Sequence, residues 1–184
     1  MKKTISIGLL LALFSCGQQQ AIVKEEPANA VSGGGQSTVK DSESQPNVVQ
    51  VAAGSADHGM LVAAVKAAEL VDVLSNAGPF TVFAPTNAAF EKLPAGLVDN
   101  LLKPENKAQL QDILQYHVYV GVISETMIQD GMKLNQVNGG DVIIHKKDGA
   151  ITINNAAVLA TIKASNGIIY SIDAVLLPPP NNSK

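Results

Sequence analysis

One thiol and three imidazoles are the most reactive side chains in this 184-residue chain: Cys16, His58, His117 and His145. Their spacing decides what chemistry is open to them. A structural or catalytic zinc site gathers its ligands from short repeats, such as two histidines one helical turn apart or a Cys-x-x-Cys pair. Neither pattern occurs. There is no Gly-x-Ser-x-Gly elbow, and the glycine run at 33–35 stands in a polar stretch rather than between a strand and a helix. A Ser/His/Asp set would have to be assembled from distant positions. The reading is therefore a non-catalytic chain with no metal and no cofactor.

The elements that carry these histidines give each a different setting. Leu110, Ile113, Leu114 and His117 follow the i, i+3, i+4, i+7 spacing of an amphipathic helix over about 105–117. His117 thus shares the apolar stripe, and its ring is expected to point inward, neutral and hydrogen-bonded. Tyr116 precedes it and is expected to be at least partly exposed, while Tyr119 opens an extended segment. Tyr116, His117 and Tyr119 are the candidate partner-binding residues. His58 is expected on the first turn of a helix over 60–69 patterned by Leu61, Ala64, Val65 and Ala68, with Asp57 as its N-cap. His145 lies beside Lys146 and Lys147 near a turn, on a solvated surface.

Cys16 belongs to another kind of chemistry. A basic head, Lys2 and Lys3, precedes an apolar run from residue 5 to 14, and the thiol follows Leu13, Phe14 and Ser15. That run is too short to span a bilayer and reads as a secretory signal. Its ending resembles the lipobox of bacterial lipoproteins, which implies diacylation of the Cys16 thiol and cleavage before it. Two or three acyl chains, at about 0.8 kcal/mol per buried methylene, hold a protein on a membrane durably. Gly17 lacks the aspartate that retains some lipoproteins at the inner membrane, so the expected location is the outer membrane or the cell surface.

Composition narrows the rest. Hydrophobic residues make up 46% of the chain but aromatics only 4%, so the core must be aliphatic. A net charge of -3 argues against nucleic acid, which requires a concentrated basic face. All 13 cationic residues are lysines, and the missing arginine removes bidentate capture of carboxylate or phosphate. Residues 16–46 show neither helical nor strand periodicity and read as a flexible tether, with a reach of roughly 30 Å. Residues 1–15 are then the signal, 47–178 the folded domain and 179–184 a tail.

Within the domain, residues 80–84 read as a buried strand stopped by Pro85, with Thr86 capping a short helix that carries Phe90. Leu97, Leu101 and Leu102 suggest another short helix. After 117 the period changes. Short apolar runs at 134–137, 142–145, 150–153, 158–162 and 168–172 alternate with turn signals at Asn138-Gly139-Gly140, Asp148-Gly149, Asn154-Asn155 and Asn166-Gly167. These pairs are expected to supply the positive φ of tight hairpins. Helices followed by a strand meander predict an α+β fold with a mainly antiparallel sheet.

Three segments carry a family resemblance. FTVFAPTNAAF, from Phe80 through Pro85, Thr86 and Asn87 to Phe90, resembles the first signature of the fasciclin (FAS1) domain. ILQYHV, ending at Val118, is similar to its Tyr-His segment. NGIIYSIDAVLLP, which includes Asn166, Gly167 and Asp173, resembles its closing signature. The resemblance covers 47–178 and implies a wedge of N-terminal helices packed on a mainly antiparallel sheet, with Phe80, Pro85, Thr86, Asn87, Phe90, Asn166, Gly167 and Asp173 as scaffold residues. Tyr170 stands where the family often has histidine, and Val120 where proline is common. The Asp-Ile pair that some animal members use toward integrins reads Thr161-Ile162 here, so that mechanism loses its acid. The resemblance implies an adhesion or interaction module with a protein or polysaccharide partner on a cell or matrix surface, attached to the membrane by its lipid. The alternative it implies is a carrier of an apolar small molecule such as a carotenoid.

Overall fold

The computed structural model describes residues 45–179. Cys16, the signal, the tether up to residue 44 and the tail beyond Pro179 lie outside the described residues. The domain opens with α1 (Val48–Gly54), where Asn47 and Gln50 form a reciprocal capping box. The N-cap of the next turn is Ser55, not Asp57: its hydroxyl accepts from the Asp57 amide, and the 3-10 turn Ala56–His58 leads into α2 (Gly59–Ala67). The short helix α3 (Val71–Ser75) follows.

Strand β1 (Phe80–Pro85) ends on the Thr86 cap of α4 (Asn87–Glu91), as the Pro-Thr pair predicts. Then come α5 (Leu97–Leu101), a 3-10 turn at Pro104–Asn106, and α6 (Lys107–Gln115). The remaining strands are β2 (Val118–Val120), β3 (Met132–Asn135), β4 (Asp141–Lys147), β5 (Ala150–Ile153), β6 (Ala156–Ala164) and β7 (Gly167–Ile172). The α+β expectation holds, with N-terminal helices and a sheet ordered β2-β1-β7-β6-β5-β4-β3.

All pairings are antiparallel except one. The first and last strands, β1 and β7, run parallel as the second and third strands of that order, from Phe80↔Gly167 to Pro85↔Ile172. Every residue of β7 is buried, the signature of a strand covered on both faces. One face of this pair packs against the helices through Val82, Ala84 and Ile169 with Leu61, Val65, Leu110 and Leu114. The opposite face packs Phe83, Tyr170 and Ile172 against Ile144, Ile153, Leu134 and Val142. Strand β4 alternates between exposed and buried residues, as a one-sided strand must. The sheet also curls back on itself, since the Val137 amide beyond β3 donates to the Val118 carbonyl of β2 at 2.9 Å.

The turn signals divide into two kinds. Gly139, Asp148, Gly149 and Asn154 do adopt positive φ. Neither Asn166 nor Gly167 does, contrary to the expectation for that pair. Gly167 is required for a different reason: a Cβ there would lie 2.0 Å from the Phe80 carbonyl oxygen, inside the parallel pair. Asn166 uses its side chain as a clasp. Its Oδ1 accepts from the Val48 amide at 2.9 Å, and its Nδ2 donates to the carbonyls of Leu74 at 2.8 Å and Asn76 at 2.9 Å.

Candidate functional site

The end of α6 brings Tyr116 and His117 together, but both point inward. His117 is 2% exposed and its ring is saturated. Nδ1 is 2.7 Å from the Ile113 carbonyl, and the Leu176 amide donates to Nε2 at 3.0 Å. A carbonyl only accepts and an amide only donates, so the ring is the neutral tautomer with its proton on Nδ1. Burial holds its pKa down to about 4, against which the Ile113 bond acts.

Tyr116 is also 2% exposed, which corrects the expectation of exposure. Tyr116 is the C-cap of α6 and keeps helical backbone angles, but the face it occupies is covered by the sheet-side core. Its ring turns into the sheet-side core, and its hydroxyl donates to the Asp141 carbonyl at 2.8 Å and accepts from Asn154 Nδ2 at 3.3 Å. Tyr119 is half-buried, its ring lying over Gly121. Of the three candidates, Tyr119 alone presents surface to a partner.

His58 stands just before the first turn of α2, at the end of the 3-10 turn. It is 3% exposed, with Nδ1 2.9 Å from Ser55 Oγ and Nε2 3.0 Å from Ser171 Oγ. A nucleophilic serine needs a base that a carboxylate orients. Here a serine hydroxyl stands behind the ring, and Ser171 lies within the buried strand β7. The trio fastens the entry of α2 to the sheet. Desolvation lowers the His58 pKa, opposed by the Asp57 charge and the Ala84 backbone. His145 is exposed, 3.5 Å from Asp130. Among the described residues no group of three or more His, Cys, Asp or Glu side chains is placed to hold a metal.

The remaining signature residues perform structural work. Asn87 accepts from the Met60 amide and donates to the Ala56 carbonyl, so α4 holds the start of α2. Asp173 accepts from the Ala157 amide at 2.8 Å, the main cause of its lowered pKa, and pairs with Lys92. Pro85 is fully buried, and Phe80 and Phe90 pack partly buried against the helix-side core. Tyr170, where the resemblance anticipates histidine, donates to the Ile123 carbonyl at 2.7 Å, and burial pushes its pKa up to about 12. Two small apolar pockets of about 30 and 20 Å³ flank His117. Each has room for roughly one water, far from the volume of a polyene.

Comparison with known proteins accords with this geometry. The Fasciclin domain family pattern matches residues 56–178, most of the chain. The chain belongs to the fasciclin domain family. Protein sll1483 of Synechocystis sp. is 50% identical over 139 residues, which cover 75% of this chain and 77% of that protein. Cell surface glycolipoprotein MPB83 of Mycobacterium bovis is 44% identical over 111 residues, covering 60% of this chain and 48% of that one. Transforming growth factor-beta-induced protein ig-h3 of Oryctolagus cuniculus is 38% identical over 73% of this chain, which spans 20% of that longer protein. A solved FAS1 domain pair from the insect cell adhesion molecule Fasciclin I superposes with a TM-score of 0.64 at 18% identity. It covers 72% of this chain and 51% of that one, and it shows the shared fold.

Fasciclin domains form a family of adhesion and cell-surface proteins, and none of these relatives bears an enzyme's name. Several structural residues escaped the sequence reading. The Asn47-x-x-Gln50 box was a usable signal for α1. The clasp of Asn166 and the His58–Ser171 contact join residues too distant for any local pattern to show.

Proposed function

We propose that this chain is an envelope-anchored contact module, a fasciclin domain held on a membrane by an acylated Cys16 and serving in adhesion rather than catalysis. The observation that carries the reading is the likeness to a cell surface glycolipoprotein in a chain whose own leader ends in Leu13-Phe14-Ser15-Cys16. The internal geometry supports it. The signature residues and two of the three histidines are engaged in holding elements together, which leaves recognition to the outer surface, Tyr119 included.

Metabolic labelling with an alkyne fatty acid tests the anchor. The wild-type chain is expected to carry label and to begin at residue 16, and Cys16→Ser is expected to lose both properties. A serine variant that is still acylated and cut at the same bond overturns the anchor. Protease digestion of intact cells tests the display: degradation from outside supports contact with external surfaces, whereas full protection removes that role. Protein purified from its native host is expected to be colourless, and a bound visible chromophore would favour the carrier reading instead.

A further inference from the structure

An open groove of about 1010 Å³ lies where the chain enters the domain, far larger than the cavities beside His117. Its walls come from the residues around Asn47, the turn between α3 and β1, residues 122–124 and the hairpin between β6 and β7. Asn47 and Asn166 spend their side chains on backbone groups and so fix the shape of the walls. Lys163 and Ser165 stand exposed on the hairpin, and neither side chain has a hydrogen-bond or ion-pair partner among the described residues. Ser75 adds an independent sign. It is 3% exposed and its Oγ is buried without a partner. The other described residue with such an oxygen, Gln136, is not part of the wall.

The absences in this wall are informative. Among the described residues no Asp, Glu or aromatic lines it, in a chain where acidic residues outnumber lysines. Without a ring there is no face for stacking a nucleobase or a polyene. Without an apolar centre of aromatic anchors it does not suit a protein hot spot. A lone ammonium offers a point charge to an anion. Serine hydroxyls both donate and accept, the same capacity that a sugar hydroxyl presents. An unpaired buried hydroxyl costs the fold free energy, and a ligand hydroxyl can supply what Ser75 lacks. The groove volume reaches the upper end of known ligand sites, about 300–1,000 Å³, and suits several linked rings.

We infer that this groove binds a stretch of acidic polysaccharide, with Lys163 facing its carboxylate or sulfate and Ser75 and Ser165 bonding to its hydroxyls; the inference rests on the contact-module reading above. The test is calorimetric titration of the full chain in detergent with three hexasaccharides: an oligogalacturonate, a heparin fragment and neutral maltohexaose. At least one acidic oligomer is expected to bind, and the better of the two identifies the anion as carboxylate or sulfate. The neutral oligomer is expected to bind about tenfold more weakly, and Lys163→Gln to weaken the acidic one by about tenfold. Ser75→Ala is expected to weaken binding while leaving the unfolding midpoint unchanged or raised. Failure of both acidic oligomers, or binding that survives both substitutions in folded protein, overturns the assignment. Beads carrying the full chain separate the two readings. Attachment to producing cells without oligosaccharide binding overturns the groove alone, and oligosaccharide binding without attachment overturns the contact role alone.

Discussion

The two cores on either side of the β1–β7 pair are built on different plans. The helix-side core is aliphatic, assembled from Val48, Leu61, Val65, Leu110, Ile113 and Leu114 on helices of five to nine residues. Helices that short are not stable alone and depend on packing and on polar ties. Their tie is His117, whose two nitrogens bridge α6 and the chain beyond β7. The sheet-side core holds Phe83, Tyr116 and Tyr170 among isoleucines, with the Phe83 and Tyr170 rings 6.1 Å apart. Its polar ties are phenol hydroxyls at the tips of large apolar rings. The lesson concerns redundancy. A phenol deprived of its oxygen keeps most of its buried area, whereas an imidazole deprived of either contact leaves an orphaned backbone group in a dry core.

The change that breaks both cores together has the largest expected effect. Gly167→Ala drives a methyl into the Phe80 backbone and separates the strands that the two cores share. A loss of at least about 3 kcal/mol is expected, and a urea midpoint near wild type would show that the pair can shift to accommodate it. His117→Ala is next, about 3 kcal/mol from a cavity and two unpaired backbone groups.

Acid sharpens the same contrast. His117 has a pKa of about 4 when folded, against 6.5 ordinarily. The unfolded chain therefore takes up the proton first. Stability that is complete above about pH 6.5 is lost as pH falls toward 4, by roughly 3 kcal/mol. His58 acts in the same direction. Denaturant midpoints measured across that window should slope less in His117→Gln than in wild type, and equal slopes would remove His117 as the cause. Tyr170→Phe tests the other core and should cost about 1 kcal/mol, since only one hydrogen bond is lost. A cost equal to that of His117→Ala would erase the proposed asymmetry. Lys92→Ala, at a well-exposed pair with Asp173, should shift stability by less than about 1 kcal/mol.

What the sequence disclosed and what it hid follow the range of the forces involved. The stripe of Leu110, Ile113, Leu114 and His117 is local periodicity, and α6 appears where it predicts. The alternation in β4 and the Asp148-Gly149 turn are equally local. Tyr116 is buried by Val142, Ile144 and Ile153, strand residues remote in sequence that the local helical pattern does not contain. Gly167 was recognised as necessary but for the wrong reason, since its constraint is the backbone of Phe80, remote in sequence. The groove could not be foreseen at all. Its walls are four segments with no shared motif, joined only when Asn166 closes on Val48, Leu74 and Asn76.

The parallel pairing of the first strand with the last also sets the order in which the molecule can be made. Strand β1 leaves a ribosome before every other strand of the domain, and its partner β7 leaves after all of them. The β1–β7 pair thus cannot close until β7 has emerged, and both cores wait for the same late event. Loop closure over so long a span slows folding toward the millisecond-to-second regime of topologies rich in distant contacts. A nascent chain of this design stays open until β7 has emerged, the state in which a polypeptide can be threaded through a translocation channel.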